Sequence, residues 1–129
     1  MSDQHHYAAV NSVIEAYLLG LYHADSKILS DVFHPDARYV NTHDGEYMNH
    51  SMQEYFTIID QRTSPASVGE SRAEKILSID LGGSRMAFAK LTMTMFNREY
   101  LDFLTLTYDH HGWRIMSKVF TYIPKQQEQ

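Results

Sequence analysis

The chain has 129 residues, 43% of them hydrophobic and 21% charged, as is usual for a globular domain. Eleven basic against sixteen acidic residues give a formal charge of −5, and the absence of a basic run argues against nucleic acid or an anionic membrane as a partner. The absence of cysteine excludes disulfides, thiol catalysis and cysteine-based zinc sites. No apolar run reaches the ~20 residues of a membrane span, so we expect a cytoplasmic protein. The length predicts a single domain over residues 1–129, with its core at about 7–123.

Three helices are predicted in the first half of the chain. Residues 7–22 repeat apolar side chains at the spacing of one buried helical stripe, which includes Tyr17. Asp25 or Ser26 caps a short second helix, which ends before Pro35 because the residue preceding a proline avoids the α conformation. The residues at 51–54 form a capping box that opens a third helix running to about residue 61.

The rest of the sequence predicts strands. A short strand at residues 38–42 and a return strand at 46–48 precede the third helix. After a polar loop the apolar period changes to two, which predicts four antiparallel strands. These cover residues 71–81, 85–96, 100–108 and 113–122, with Gly82-Gly83, Asn97-Arg98 and His110-His111 as turns. The polar tail at residues 126–129 is expected to be disordered.

Strict alternation along the last three strands defines two faces. If Asp109 pairs with Gly112, Asp102 faces Val119 and is the one carboxylate on an otherwise apolar face. The opposite face is half polar and half apolar, which is typical of a homodimer interface. Its predicted members are Lys90, Thr92, Phe103, Thr105, Met116, Lys118 and Phe120.

Three segments carry a family resemblance that covers nearly the whole chain. They are residues 33–37 (Phe-His-Pro-Asp-Ala) at the joint between helices and sheet, residues 17–20, and the ending from Gly112 to Phe120. Together they resemble the nuclear transport factor 2-like superfamily, and most closely its bacterial lumazine-binding-like subgroup. The resemblance implies an α+β, cone-shaped, cystatin-like fold in which three N-terminal helices pack in a curved antiparallel sheet. The subgroup's name implies a pterin-like ligand, although this scaffold carries many activities.

The ketosteroid isomerases of this superfamily use a tyrosine, a basic aspartate and a protonated aspartate. The resemblance puts Tyr17 at the tyrosine position and Asn41 at the base position, where an amide cannot abstract a proton. The third position falls near Leu104, two residues from Asp102 and on the same face. This pattern argues against isomerase chemistry by the known route and supports the face of Asp102 as a cavity wall.

Asp102 is the sharpest candidate, because a buried carboxylate needs a partner or a role. The predicted ligand-binding cavity comprises Asp102, Tyr17, Asn41, Tyr39, His43, Phe56, Met93, Leu104, Trp113 and Ser117. No metal is expected, because the eight histidines lack the spacing of a helical ligand pair, and no cofactor is expected.

Three functions remain open. The favoured one is a homodimeric domain that binds a small aromatic or polycyclic molecule, such as a pterin or lumazine. The second is a lyase or isomerase in which Asp102 or His43 acts as acid or base and Tyr17 stabilises an oxyanion. The third is a protein-interaction module that uses the outer sheet face or the cavity mouth.

Overall fold

The computed structural model describes residues 3–125, which form three α-helices, one 3₁₀ turn and six β-strands. The helices are α1 (Asp3–His23), α2 (Ser26–Val32) and α3 (Met52–Gln61), and the 3₁₀ turn is Ala66–Val68. The strands are β1 (Phe33–Asn41), β2 (Met48–Ser51), β3 (Glu74–Gly82), β4 (Met86–Met95), β5 (Arg98–Asp109) and β6 (Gly112–Pro124). The tail at 126–129, which the sequence predicts to be disordered, lies outside the described residues.

Local signals place the helices well. Asp25 caps α2 by accepting hydrogen bonds from the backbone amides of Lys27 and Ile28. At α3 the predicted capping box is present, with Ser51 and Glu54 each bonding the other's backbone amide. Helix α1 begins at Asp3, four residues earlier than its apolar stripe predicts. None of the helices within residues 3–125 is long and apolar enough to cross a membrane.

The six strands form one curved, open sheet in the order β2-β1-β6-β5-β4-β3. The α+β class with three N-terminal helices is confirmed, but the sheet is mixed, because β1 runs parallel to β6. Strand β1 also begins at Phe33, five residues before its predicted start, and β2 lies at 48–51 rather than 46–48. Helix α1 contacts β3 and β6, while α3 contacts β1 and β2, so the helices pack against the inner face.

The hairpin of β5 and β6 contains a bulge that the sequence analysis did not predict. Near the turn the predicted register is right, since Asp109 pairs with Gly112 and Leu106 with Ile115. The register then shifts by one residue at Met116, so that Thr105 pairs with Ser117 and Asp102 with Phe120. An extra residue reverses the direction of every later side chain on the strand. The inward positions of β6 are therefore 113 and 115 before the bulge, and 118, 120 and 122 after it.

The turn between β4 and β5 also differs from its prediction, but this difference does not exchange the inner and outer faces of the strand. Phe96 and Asn97 form the turn, with φ angles of 55° and 61°, instead of Asn97-Arg98. Both angles lie in the left-handed region that a type I′ hairpin requires. The pairing moves by two residues, so Leu91 lies opposite Asp102 and the predicted inner face of β4 is kept.

Candidate functional site

A cavity of about 160 Å³ opens between the inner face of the sheet and the C-terminal end of α3. This volume is close to that of a cavity that holds one benzene ring. The buried part of its lining comes mainly from Tyr39, Met93, Asp102, Lys118 and Phe120. The part near solvent comes from Glu46, Arg62, Arg98 and Tyr100, and the buried Tyr122 completes the lining beside Glu46. The cavity is therefore aromatic and charged, rather than apolar as the alternation predicted.

Asp102 lies on β5 with 1% of its surface exposed, and its two carboxylate oxygens differ. The hydroxyl of Tyr17 on α1 donates a hydrogen bond to Oδ2 at 2.5 Å. Oδ1 is buried, and no group of residues 3–125 donates a hydrogen bond to it. An unpaired buried acceptor costs roughly 1–3 kcal/mol. Asp102 thus lines the cavity and carries an unused hydrogen-bond acceptor.

Lys118 lies beside Asp102 and is 6% exposed. Its Nζ is 4.0 Å from Asp102 Oδ2 and donates to the hydroxyl of Tyr55 at 3.3 Å. Four aromatic rings surround this ammonium group at 5.0–5.4 Å from their centroids, and they belong to Tyr17, Tyr39, Tyr55 and Phe120. Rings at this distance stabilise a cation through their negative faces. Lys118 is therefore a buried cation held by a carboxylate and an aromatic cage.

The tyrosines at the bottom of the site stay protonated to high pH. Burial raises the pKa of the Tyr17 hydroxyl well above its usual value, and the neighbouring Asp102 charge raises it further. Burial likewise raises the pKa of Tyr55, and a smaller effect of Asp102 acts in the same direction. At neutral pH these hydroxyls are hydrogen-bond donors, which is consistent with the bond from Tyr17 to Asp102.

A second polar cluster lies at the mouth of the cavity. The Tyr122 hydroxyl donates to the Glu46 carboxylate, and this bond raises the pKa of Tyr122. The His43 ring stacks on Tyr122 at 4.0 Å, bonds the Tyr122 carbonyl oxygen through Nδ1 at 2.8 Å, and places Nε2 3.7 Å from Glu46. The Tyr122 ring also contacts Arg98, whose guanidinium carbon lies 4.3 Å from the ring centroid. The described contacts of His43 thus join it to Glu46 and Tyr122.

The structure brings part of the predicted set together. Tyr39, Asn41, Met93 and Asp102 line the cavity, and Tyr17 lies behind Asp102. Asn41 is 4% exposed, and its Oδ1 accepts a hydrogen bond from the His43 backbone amide at 2.9 Å. The remaining predicted residues lie elsewhere, and three of them, Phe56, Leu104 and Trp113, belong to the apolar core outside the cavity lining. Trp113 instead donates a hydrogen bond to His6 near the start of α1 at 3.0 Å.

The bulge at Met116 overturns three assignments. Ser117, predicted in the cavity, lies on the outer face, where its hydroxyl meets that of Thr105 at 2.5 Å. Lys118 and Phe120, predicted at a dimer interface, point into the cavity and are 6% and 5% exposed. The reason is the one-residue register shift, which exchanges the two faces beyond residue 116. Arg62, Arg98 and Glu46 were not predicted, because they come from a helix end, the first residue of a strand and a loop, where periodicity gives little guidance.

The hairpin turn gathers three groups that could ligate a metal. Ligand atoms of Asp109, His110 and His111 lie within 4.8 Å of one another. The Asp109 carboxylate already accepts bonds from the His111 amide and from Arg114, and both lower its pKa, the first more strongly. These three residues lie at the surface and outside the cavity, so no role at the candidate site follows from them.

A family model described as "Putative lumazine-binding" matches residues 5–121. The chain belongs to this family. A comparison with curated proteins gave no match. The family description agrees with the resemblance seen in the sequence and supports binding of a small molecule, without identifying the molecule.

Solved structures similar to this member of the lumazine-binding family share its fold. An NTF2-like protein of unknown function from Shewanella baltica OS155 has a TM-score of 0.85 at 24% identity, over 97% of this chain and 99% of that one. Another from Silicibacter pomeroyi DSS-3 has a TM-score of 0.84 at 23% identity, over 95% and 100%. A ketosteroid isomerase-like protein from Erwinia carotovora atroseptica SCRI1043 has a TM-score of 0.67 at 17% identity, over 90% and 95%. At these identities the similarity shows the nuclear transport factor 2-like fold alone.

Proposed function

We propose that this protein binds a small, planar, polar heterocycle of the pterin or lumazine type in the cavity beside Asp102. One observation carries the proposal: Asp102 lines the cavity, and its buried Oδ1 accepts no hydrogen bond from residues 3–125. Because a carboxylate only accepts hydrogen bonds, it selects a ligand that carries an N–H or O–H donor. Pterins and lumazines have such N–H groups at the edge of a flat ring, and the family description supports this class.

The surroundings of Asp102 fit the ring of such a ligand. Tyr39 and Phe120 line the buried part of the cavity, and Tyr100 and Tyr122 line its mouth. Aromatic side chains favour contact with a planar ring, either stacked or edge-on. Lys118 lies next to Asp102 and can donate to a ring carbonyl, so that the pair offers an acceptor beside a donor. A bicyclic ligand fills the inner cavity with one ring and extends into the mouth with the other.

Replacing Asp102 with asparagine tests this proposal. We expect wild-type protein to bind lumazine saturably in a fluorescence titration, and Asp102→Asn to bind it at least about tenfold more weakly. The expected loss follows because a hydrogen bond to a charged group is worth about 1.5–3 kcal/mol. Asp80→Asn, an exposed substitution on β3, is the matched control and should leave binding unchanged. Failure of lumazine and pterin to bind wild type, or equal binding by Asp102→Asn, would contradict the proposal.

A lyase or isomerase is the second candidate. It is favoured by the short hydrogen bond between Tyr17 and Asp102, because a tyrosine paired with an acid can stabilise an oxyanion. Neither Asn41 nor His43 supplies the catalytic base that such an enzyme needs. Asn41 cannot take a proton, and His43 contacts Glu46 and Tyr122 at the mouth. If chromatography shows that a bound ligand is converted into a product, this candidate is favoured over simple binding.

We further propose that a second copy of the chain covers the outer face of the sheet. Five predicted interface residues lie there, namely Lys90, Thr92, Phe103, Thr105 and Met116, and Phe103 is 41% exposed. The Phe103 ring packs edge-on against Phe88, so two aromatic side chains lie side by side on this face. In sedimentation experiments we expect a dimer for wild type and for Leu19→Glu on the exposed face of α1, but a monomer for Phe103→Glu. A wild-type monomer, or a dimer that survives Phe103→Glu, would contradict this assembly.

A further inference from the structure

Two arginines at the mouth of the cavity form no ion pair with a carboxylate of residues 3–125. Arg62 follows the last residue of α3, and Arg98 begins β5, so two separate elements bring their side chains to the same cavity. Among the ion pairs of residues 3–125, none includes Arg62 or Arg98. Both side chains reach water, since Arg98 is exposed and Arg62 is half-buried. Two accessible guanidinium groups therefore border the opening.

Each arginine contacts an aromatic ring, and Arg98 also forms a side-chain hydrogen bond with Tyr100. Arg62 lies 5.2 Å from the centroid of the Phe96 ring, and Arg98 lies 4.3 Å from that of Tyr122. Stacking on a ring fixes the orientation of a guanidinium plane and leaves most N–H donors at its edge available. Such a donor edge matches the two oxygens of a carboxylate. The arginines are thus oriented before a ligand arrives.

The net charge of the cavity lining also favours an anionic ligand. Its lining contains the cations Arg62, Arg98 and Lys118 against the anions Asp102 and Glu46, an excess of one positive charge in a chain whose formal charge is −5. Lys118 and Asp102 are paired inside, and the Glu46 carboxylate is bonded by Tyr122. Within residues 3–125, the excess positive charge of the lining therefore lies at the mouth, where Glu46 offsets one of the two guanidinium charges and the other attracts an anion.

We propose that the heterocycle carries a carboxylate substituent, which Arg62 and Arg98 bind at the mouth while the ring reaches Asp102. This inference rests on the proposed function, and it narrows the ligand from a planar heterocycle to an anionic one. Glu46 opposes the same substituent, because its carboxylate lies at the same opening. Arg62 and Arg98 therefore raise the affinity for the substituent and Glu46 lowers it, whereas Asp102 determines the affinity for the ring.

The test compares pterin with pterin-6-carboxylate, two probes that differ in the carboxylate. We expect the carboxylate probe to bind wild type about tenfold more tightly than pterin at low salt, and this advantage to shrink in about 0.5 M salt because the groups at the mouth are exposed. Arg62→Gln and Arg98→Gln should each reduce the advantage about three- to tenfold, whereas Glu46→Gln should increase it. None of the three substitutions should change the affinity for pterin by more than about twofold.

Arg85→Gln, in the turn between β3 and β4, is the matched control and should preserve the advantage. Equal affinities of wild type for the two probes would overturn the carboxylate inference and leave the proposed function standing. Equal weakening of both probes by the arginine variants would do the same, because it would show a general rather than a carboxylate-specific role. Binding of neither probe, together with no binding of lumazine, would overturn both proposals.

Discussion

Replacing Lys118 with methionine is expected to lower the free energy of unfolding by about 3–5 kcal/mol, the usual cost of removing one member of a buried ion pair. The Lys118 side chain is buried beside Asp102, and four aromatic rings pack around its ammonium group. Methionine keeps much of the side-chain volume, so the loss reflects the charge rather than a void. It leaves the Asp102 carboxylate buried with Tyr17 as its remaining described partner. Urea unfolding followed by circular dichroism measures the difference.

Two further variants separate this effect from general packing. Lys90→Met removes a lysine from the outer face, where its Nζ lies 5.5 Å from the Phe103 ring centroid, and should change stability by less than about 1 kcal/mol. The double variant Lys118→Met with Asp102→Asn should recover much of the loss, because neither charge is then buried alone. If Lys118→Met unfolds at the same urea concentration as wild type, the described ion pair does not contribute to stability.

Above pH 10 the protein is expected to lose stability steeply. Burial raises the pKa of Tyr17 and of Tyr55 in the folded state, and for Tyr17 the Asp102 charge adds to this. Below the unfolded-state value near 10 both states bind these protons equally, so the stabilisation is fully present. Above it the unfolded chain releases protons that the folded chain keeps, and unfolding becomes easier by about 1.4 kcal/mol per pH unit for each tyrosine.

Urea unfolding at several pH values between 9 and 11 measures this slope. Tyr55→Phe should make the slope shallower by about the contribution of one tyrosine. Tyr47→Phe is the matched control, because the Tyr47 side chain is 69% exposed and changes its environment little on unfolding. An identical slope for wild type and Tyr55→Phe would show that the Tyr55 hydroxyl does not hold its proton in the folded state.

The sequence predicts those parts of the fold that depend on neighbouring residues. The caps at Asp25 and Ser51 and the turn at His110-His111 follow from local chemistry, and the structure has them in place. The turn at Phe96-Asn97 was misplaced, because a phenylalanine with positive φ is not predictable from its type. That error was harmless to the assignment of faces, because the register moved by two residues.

The site was harder to predict, because its inner part depends on contacts between distant segments. Lys118 is polar and Val119 is apolar, so alternation alone predicts the reverse of the observed orientation. Lys118 points inward because Asp102 on β5 and Tyr55 on α3 hold its ammonium group. The even spacing of the aromatic residues Phe120 and Tyr122 was a signal for the bulge, since both belong to the buried face beyond it. Asp102 was identified because one acid on an apolar face is unusual in any register.

The extra residue at Met116 also matters for how this chain is aligned with its relatives. Up to Ile115 the inward side chains of β6 occupy odd positions, and from Lys118 onward they occupy even ones. A relative without this extra residue has a strand of the same composition but one position shorter, and an alignment that ignores the step equates a cavity residue with a surface residue. Conservation scored from such an alignment would hide Lys118 and Phe120. A gap at residue 116 restores the correspondence.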